Sequence, residues 1–163
     1  MSLVNVQGKP VRESQVVMTQ LVLPTHTNNF DCVFGGIMMS WIDIAAAIAA
    51  QRHSNKNVVT ASIDSLSFIA SVYKGWVVNL KSSVNFVSKT SMEVGVRVDA
   101  ENPRTNEHFH TASAYLTFVA LDSNHRPTAI PKLITENDED KRRFIEAQKR
   151  RAMRLELRNN LKV

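Results

Sequence analysis

One cysteine, Cys32, is all the thiol this 163-residue chain has. No internal disulfide can form, and no zinc site can be built from thiolates. No apolar run approaches membrane-spanning length, since the most apolar stretch, residues 37–50, is interrupted by Ser40 and Asp43. The N-terminus lacks the apolar core of a signal peptide, so a reducing cytoplasm is the expected location. No internal repeat and no low-complexity linker is visible. The formal charge is +5, but residues 137–163 hold 9 of the 20 Lys/Arg and 5 of the 15 Asp/Glu. The first 136 residues therefore carry a net charge of only +1. A nearly neutral body argues against nucleic acid as the partner and leaves room for a smaller anionic ligand.

What is present is organised around residues 24–53, PTHTNNFDCVFGGIMMSWIDIAAAIAAQRH. A polar loop leads to Gly35-Gly36, which opens a helix expected to run to about Gln51. Arg52 and His53 suit its negative C-terminal end. Alanines 45, 46, 47, 49 and 50 make the helix small almost all round, as in a helix buried on most sides. Asp43 sits in its middle. An acid in such surroundings is either used or tightly paired.

The other segments read as strands. Residues 15–23 are β-branched and apolar, and residues 58–70 mix polar and apolar positions. Residues 76–87 and 91–101 alternate with period two, and residues 109–121 are apolar on both faces. The connections at 73–75, 88–90 and 102–106 are hairpin-sized, which predicts an antiparallel sheet. A second helix is expected from about Thr135, with acids early and bases late. The order strand, helix, four strands, helix predicts an α+β hotdog fold, a long helix wrapped by a curved antiparallel sheet. Its divisions are a loose arm over 1–14, the hotdog domain over 15–134 and a basic C-terminal helix over 135–163.

Between about Glu13 and Leu133 the chain resembles the cytosolic acyl-CoA thioester hydrolases with a hotdog fold, both the bacterial enzymes and the two-domain brain acyl-CoA hydrolase. The resemblance is carried by VVMTQLVLP, the loop with Asn28, VFGG at 33–36, WIDIAA at 41–46, VVTASID at 58–64, KTSMEV at 89–94 and ASAYLTFVALD before the proline pair. It implies catalytic roles for Asn28 and Asp43, and coenzyme A bound at a subunit interface with contacts from the Lys89-Thr90-Ser91 turn. It also implies assembly from dimers, commonly three of them, as a homohexamer. No cofactor is expected beyond the CoA moiety of the substrate, and neither nucleic acid nor membrane insertion is expected. The chain departs from the pattern at Asp31, where glycine is common, and at Cys32.

Thioester hydrolysis needs an activated water or a nucleophile, and donors for the developing oxyanion. Asp43 suits the first need as general base or as nucleophile, because desolvation makes it a better base than a surface aspartate. The amides of Gly35 and Gly36, at a helix start, suit the thioester oxygen. Asn28 would orient water or bind the carbonyl. Gly36 and Asp43 are seven residues apart, about 10 Å along the axis, too far to serve one carbonyl carbon within one chain. If both act on one thioester, they come from different subunits.

Blander readings exist for each residue. Asp43 could be a structural acid satisfied by Ser or Thr hydroxyls, Asn28 an Asx-turn residue, and Gly35-Gly36 simple helix-start packing. Lys89, Thr90 and Ser91 could be just a turn. Lys149, Arg150, Arg151 and Arg154 either reach CoA phosphates or form a solvated helix face. Rival functions are a Cys32 nucleophile with His26 or His53 as base, a hotdog dehydratase, and a non-catalytic acyl-CoA-binding or sensing module. A dehydratase usually needs a histidine in its catalytic pair, and the helix interior has none.

Overall fold

The structure, a computed structural model, describes residues 8–161. β1 (Lys9–Pro10) and β2 (Val16–Leu21) precede helix α1 (Gly35–Ser54). β3 (Asn57–Phe68), β4 (Val77–Val87), β5 (Ser91–Asn102) and β6 (Glu107–Leu121) follow, and β7 (Leu133–Ile134) leads to α2 (Asp138–Asn160). The main sheet is antiparallel, with strand order β2-β4-β5-β6-β3. The hotdog α+β fold expected from the sequence is what forms.

The connection at 73–75, expected to close a hairpin, does not: β3 pairs with β6, and β4 with β2. β2 and β3, which flank α1 in sequence, thus take the two edges of the sheet. That placement curls the sheet around the helix between them. The buried residues Met38, Trp41, Ile42, Ala45, Ala46, Ala49, Ala50 and His53 follow the helical period and form one stripe against the sheet. Four of these are alanines at 0% exposure, so the backbones approach closely, and Ser82 Oγ donates to Ala45 O at 2.7 Å. The helix is nevertheless not buried on most sides. Met39 and Ile44 stand exposed on it, as do Ile63 and Phe68 of β3.

Two further expectations need correction. Residues 1–7 of the expected loose arm lie outside the described residues, but the rest of that arm is packed. β1 pairs in parallel with β7, and Val11 and Ser14 are buried. Lys9 Nζ donates to Arg52 O and, at 3.2 Å, to Asn55 Oδ1, which caps the negative end of α1 with a cation. The second helix starts at Asp138 and not near Thr135, because Asn137 is its N-cap and accepts from Asp140 N at 2.8 Å.

α2 lies on the outer face of the sheet and spends its basic residues there. Arg150 donates to both oxygens of the buried Glu93 on β5 and stacks 3.6 Å from the centre of the Tyr115 ring. Arg154 pairs with Asp64, which also accepts from Ser62 and Thr117. Phe144 packs on Phe86. Neither Arg150 nor Arg154 forms the solvated face expected of the tail. Removing one partner of a buried pair strands the other charge, so Glu93→Ala should lower unfolding free energy by about 3 kcal/mol. Urea denaturation followed by circular dichroism reads this, and a midpoint unchanged from wild type would show that the Arg150–Glu93 pair contributes nothing.

Candidate active site

Asp43 faces β3. Thr60 pairs across the sheet with the buried Phe118, so its side chain points inward toward α1, just before a register shift between Thr60 and Ser62. Thr60 Oγ1 donates to Asp43 Oδ1 at 2.7 Å, and Oδ2 accepts no hydrogen bond among the described residues. One oxygen is oriented and the other is left to take a proton. Asp43 is half-buried in the single chain, not enclosed as the apolar helix had suggested. Sequence reasoning missed Thr60 as a residue of the site. Its only signal was the VVTASID segment, and the pairing of β3 that aims it is a long-range fact.

At the other end of α1, residues 26–34 form a tight loop. Thr27 and Val33 bridge, Phe34 N donates to His26 O, and Asn28 N donates to Cys32 O at 2.9 Å. Asp31, where glycine is common in the resembling family, takes the left-handed conformation with φ 57°. Lys74 steadies it through N to Asp31 O at 3.1 Å and Nζ to Oδ1 at 3.3 Å. Aspartate tolerates this conformation better than most side chains, so the departure at 31 keeps a glycine-like loop shape. Asn28 Oδ1 accepts from Phe30 N at 2.9 Å and Cys32 Sγ at 3.3 Å, the Asx-turn role among its two readings.

The helix start has no side-chain cap. Ile37 N and Met38 N bond to Phe34 O, while the amides of Gly35 and Gly36, first in the helix, have no intrahelical acceptor. A cleft of about 300 Å³ opens beside them, lined by Gly35, Met38, Val33, Phe68 and Ile69. A Cβ on Gly35 would come within 3.8 Å of the Phe68 ring. Gly35 is thus near Phe68 and Asp43 is on Thr60, eight residues apart along α1, which sets them about 12 Å apart. One chain does not bring the two halves together.

Lys89, Thr90 and Ser91 form the β4–β5 turn, held by Ser88 N to Ser91 O, Ala120 N to Thr90 O and Ile130 N to Lys89 O. Ser91 pairs with Val119, which pairs with Val59 beside Thr60. Two strand spacings, about 10 Å, separate this turn from the Asp43 end of the sheet. Of the tail cations, Arg151 approaches Ser88 Oγ at 3.5 Å, while Arg150 and Arg154 are engaged by Glu93 and Asp64.

Neither histidine serves the thiol. His26 Nδ1 accepts from Leu23 N at 3.1 Å, with its ring edge-on to Trp41. His53 is fully buried near the C-terminal end of α1, bonded through Nε2 to Pro131 O at 3.0 Å. Burial, reinforced by Lys9 and opposed by the Pro131 hydrogen bond, lowers its pKa below 6.5. The unfolded chain then binds a proton that the folded one refuses. This contribution to stability is complete above about pH 6.5 and is lost as pH falls from there toward the depressed folded value. His53→Gln should show a shallower loss of stability across that window in thermal melts, and an equally steep loss would mean that another group is responsible.

Residues 30–107 match the thioesterase superfamily. The chain is 44% identical over 129 residues to an uncharacterized acyl-CoA thioester hydrolase of Bacillus subtilis, covering 79% of this chain and 75% of that one. It belongs to the acyl-CoA thioester hydrolase family. It is 35% identical to the cytosolic acyl coenzyme A thioester hydrolase of Rattus norvegicus over 91% of its own length, but spans only 39% of that longer protein. An apo-hexameric acyl-CoA thioesterase superposes with TM-score 0.91 at 39% identity, covering 96% of this chain and all of that one. An acyl-CoA hydrolase of Staphylococcus aureus, solved with butyryl coenzyme A and coenzyme A, superposes with TM-score 0.85 at 34% identity over 94% and 96% of the chains. That hydrolase has also been solved as alanine variants of an aspartate, an asparagine and a threonine.

Proposed function

We propose that this protein hydrolyses acyl-CoA thioesters to free fatty acid and CoA at sites shared between two copies of the chain. Asp43 of one subunit acts as general base or nucleophile, oriented by Thr60. Asn28 and the amides of Gly35 and Gly36 from the other subunit hold the water and the thioester carbonyl. Gly35, Lys89, Thr90 and Ser91 contact the CoA moiety, and no cofactor is required. The observation that carries this reading is the separation just described: an oriented carboxylate and helix-start amides unpaired among the described residues, each half a site, about two turns apart on α1. The exposed apolar side chains of α1 and β3, beside the unpaired edge of β3, supply the surface through which a second copy would join the halves. Dimers, and a trimer of dimers like the hexameric relatives, are the expected assembly, and the cytoplasm is the expected location.

Release of free thiol from acyl-CoAs of varied chain length, by wild type and by Asp43→Asn, tests the reading. Turnover by wild type that collapses in the variant supports it. Binding of acyl-CoA with no thiol release by wild type would favour the non-catalytic sensing module.

A further inference from the structure

We propose that Cys32 is a positioning residue whose thiol fixes the carboxamide of Asn28 so that it acts through its N–H groups. This rests on the shared-site reading above and decides which of the two roles open to Asn28 it performs. A carboxamide oxygen has two lone pairs and a carboxamide nitrogen has two donors. Both acceptor positions of Asn28 Oδ1 are taken within the loop, by Phe30 N at 2.9 Å and by Cys32 Sγ at 3.3 Å. Nδ2 donates to nothing among the described residues. Rotating the amide by half a turn would set NH₂ against the Phe30 N–H, donor against donor, and would turn the thiol from donor to weak acceptor, so the network favours one orientation.

The thiol can do this because its own backbone is held. Cys32 bridges Tyr73, Val33 N donates to Val72 O at 2.8 Å, and Cys32 O accepts from Asn28 N. The chemistry follows from the orientation. An Asn28 whose oxygen is occupied cannot orient an attacking water by accepting its hydrogen bond. Its N–H groups can donate to an oxygen gaining negative charge, on the same stretch of chain as the free amides of Gly35 and Gly36. Asn28 is therefore a carbonyl and oxyanion donor, and Cys32 acts through it.

Steady-state kinetics on the intact oligomer tests this with four variants and one double variant. Losing one weak donor to a side chain that Phe30 N still holds should cost little. Cys32→Ala should lower kcat by about three- to tenfold with KM changed less than about twofold. Cys32→Ser, which keeps an O–H donor, should restore kcat to within about twofold of wild type. Asn28→Asp, which keeps the shape and loses the N–H groups, should fall as far as Asn28→Ala. In an Asn28→Ala background, Cys32→Ala should cause no further loss, whereas a purely structural role in the loop would still lower activity there. Wild-type kcat in Cys32→Ala, a serine variant as impaired as the alanine, or an active Asn28→Asp would each overturn the proposal. Full activity in Asn28→Ala would instead overturn the shared-site reading on which it rests.

Discussion

Asp43→Asn should lower acyl-CoA hydrolysis by about a hundredfold or more while leaving the fold and CoA binding intact. The asparagine keeps the oxygen that accepts from Thr60 Oγ1, the one hydrogen bond that holds this side chain among the described residues, so its geometry survives. What it loses is the second oxygen as a base or nucleophile. The loss should therefore appear in kcat and leave KM nearly unchanged, because the group acts as charge moves and not as CoA docks. Thermal melts should overlay wild type, since Asp43 is half-buried and makes no ion pair among the described residues. Near-wild-type turnover of a folded Asp43→Asn would leave the carboxylate as no more than a hydrogen-bonding partner of Thr60. That is the structural role an aspartate in such a helix could always have had.

Mixing two inactive variants should restore activity. In a dimer of one Asp43→Asn subunit and one Asn28→Ala subunit, one site receives both altered residues and the other receives both native ones. Random reassembly of an equal mixture makes half of all dimers mixed, each with one good site of two, so about one quarter of wild-type activity should return. The effect is large because each parent alone is expected to retain about a hundredth of wild type or less. The variants are denatured together, refolded, and assayed for thiol release against each parent refolded alone. If both residues served one site within one chain, every site in every mixture would carry a defect and nothing would return. The separation of Gly35 and Asp43 along α1, about 12 Å, makes that second outcome sterically difficult. The experiment measures in solution what the fold implies.

The polar outer face of the sheet shows how local reading fails. The late bases of α2 could be counted in the sequence, but nothing local distinguishes an arginine in solvent from one on Glu93 or Asp64. Alternation had set Glu93 facing away from the core and said nothing of Asp64, and only the docking of α2 covers both. The connection at 73–75 failed for a related reason. Its length suits a hairpin, but β3 is claimed by β6, about fifty residues later, and no local signal carries that pairing.

What the sequence determined by itself was therefore local and periodic. The alternation of β4 and β5, the apolar run of α1 and its double-glycine start are all set by neighbours a few residues away. So was the oddity of Asp43, because an acid among alanines and isoleucines is visible without coordinates. Only the tertiary structure decided that Thr60 orients Asp43 and that Asn28 Oδ1 is occupied by Phe30 and Cys32. Thr60 reaches Asp43 because β3 takes the sheet edge beside β6 and runs back along α1. These are contacts between residues far apart in the chain, made by packing that no window of sequence contains.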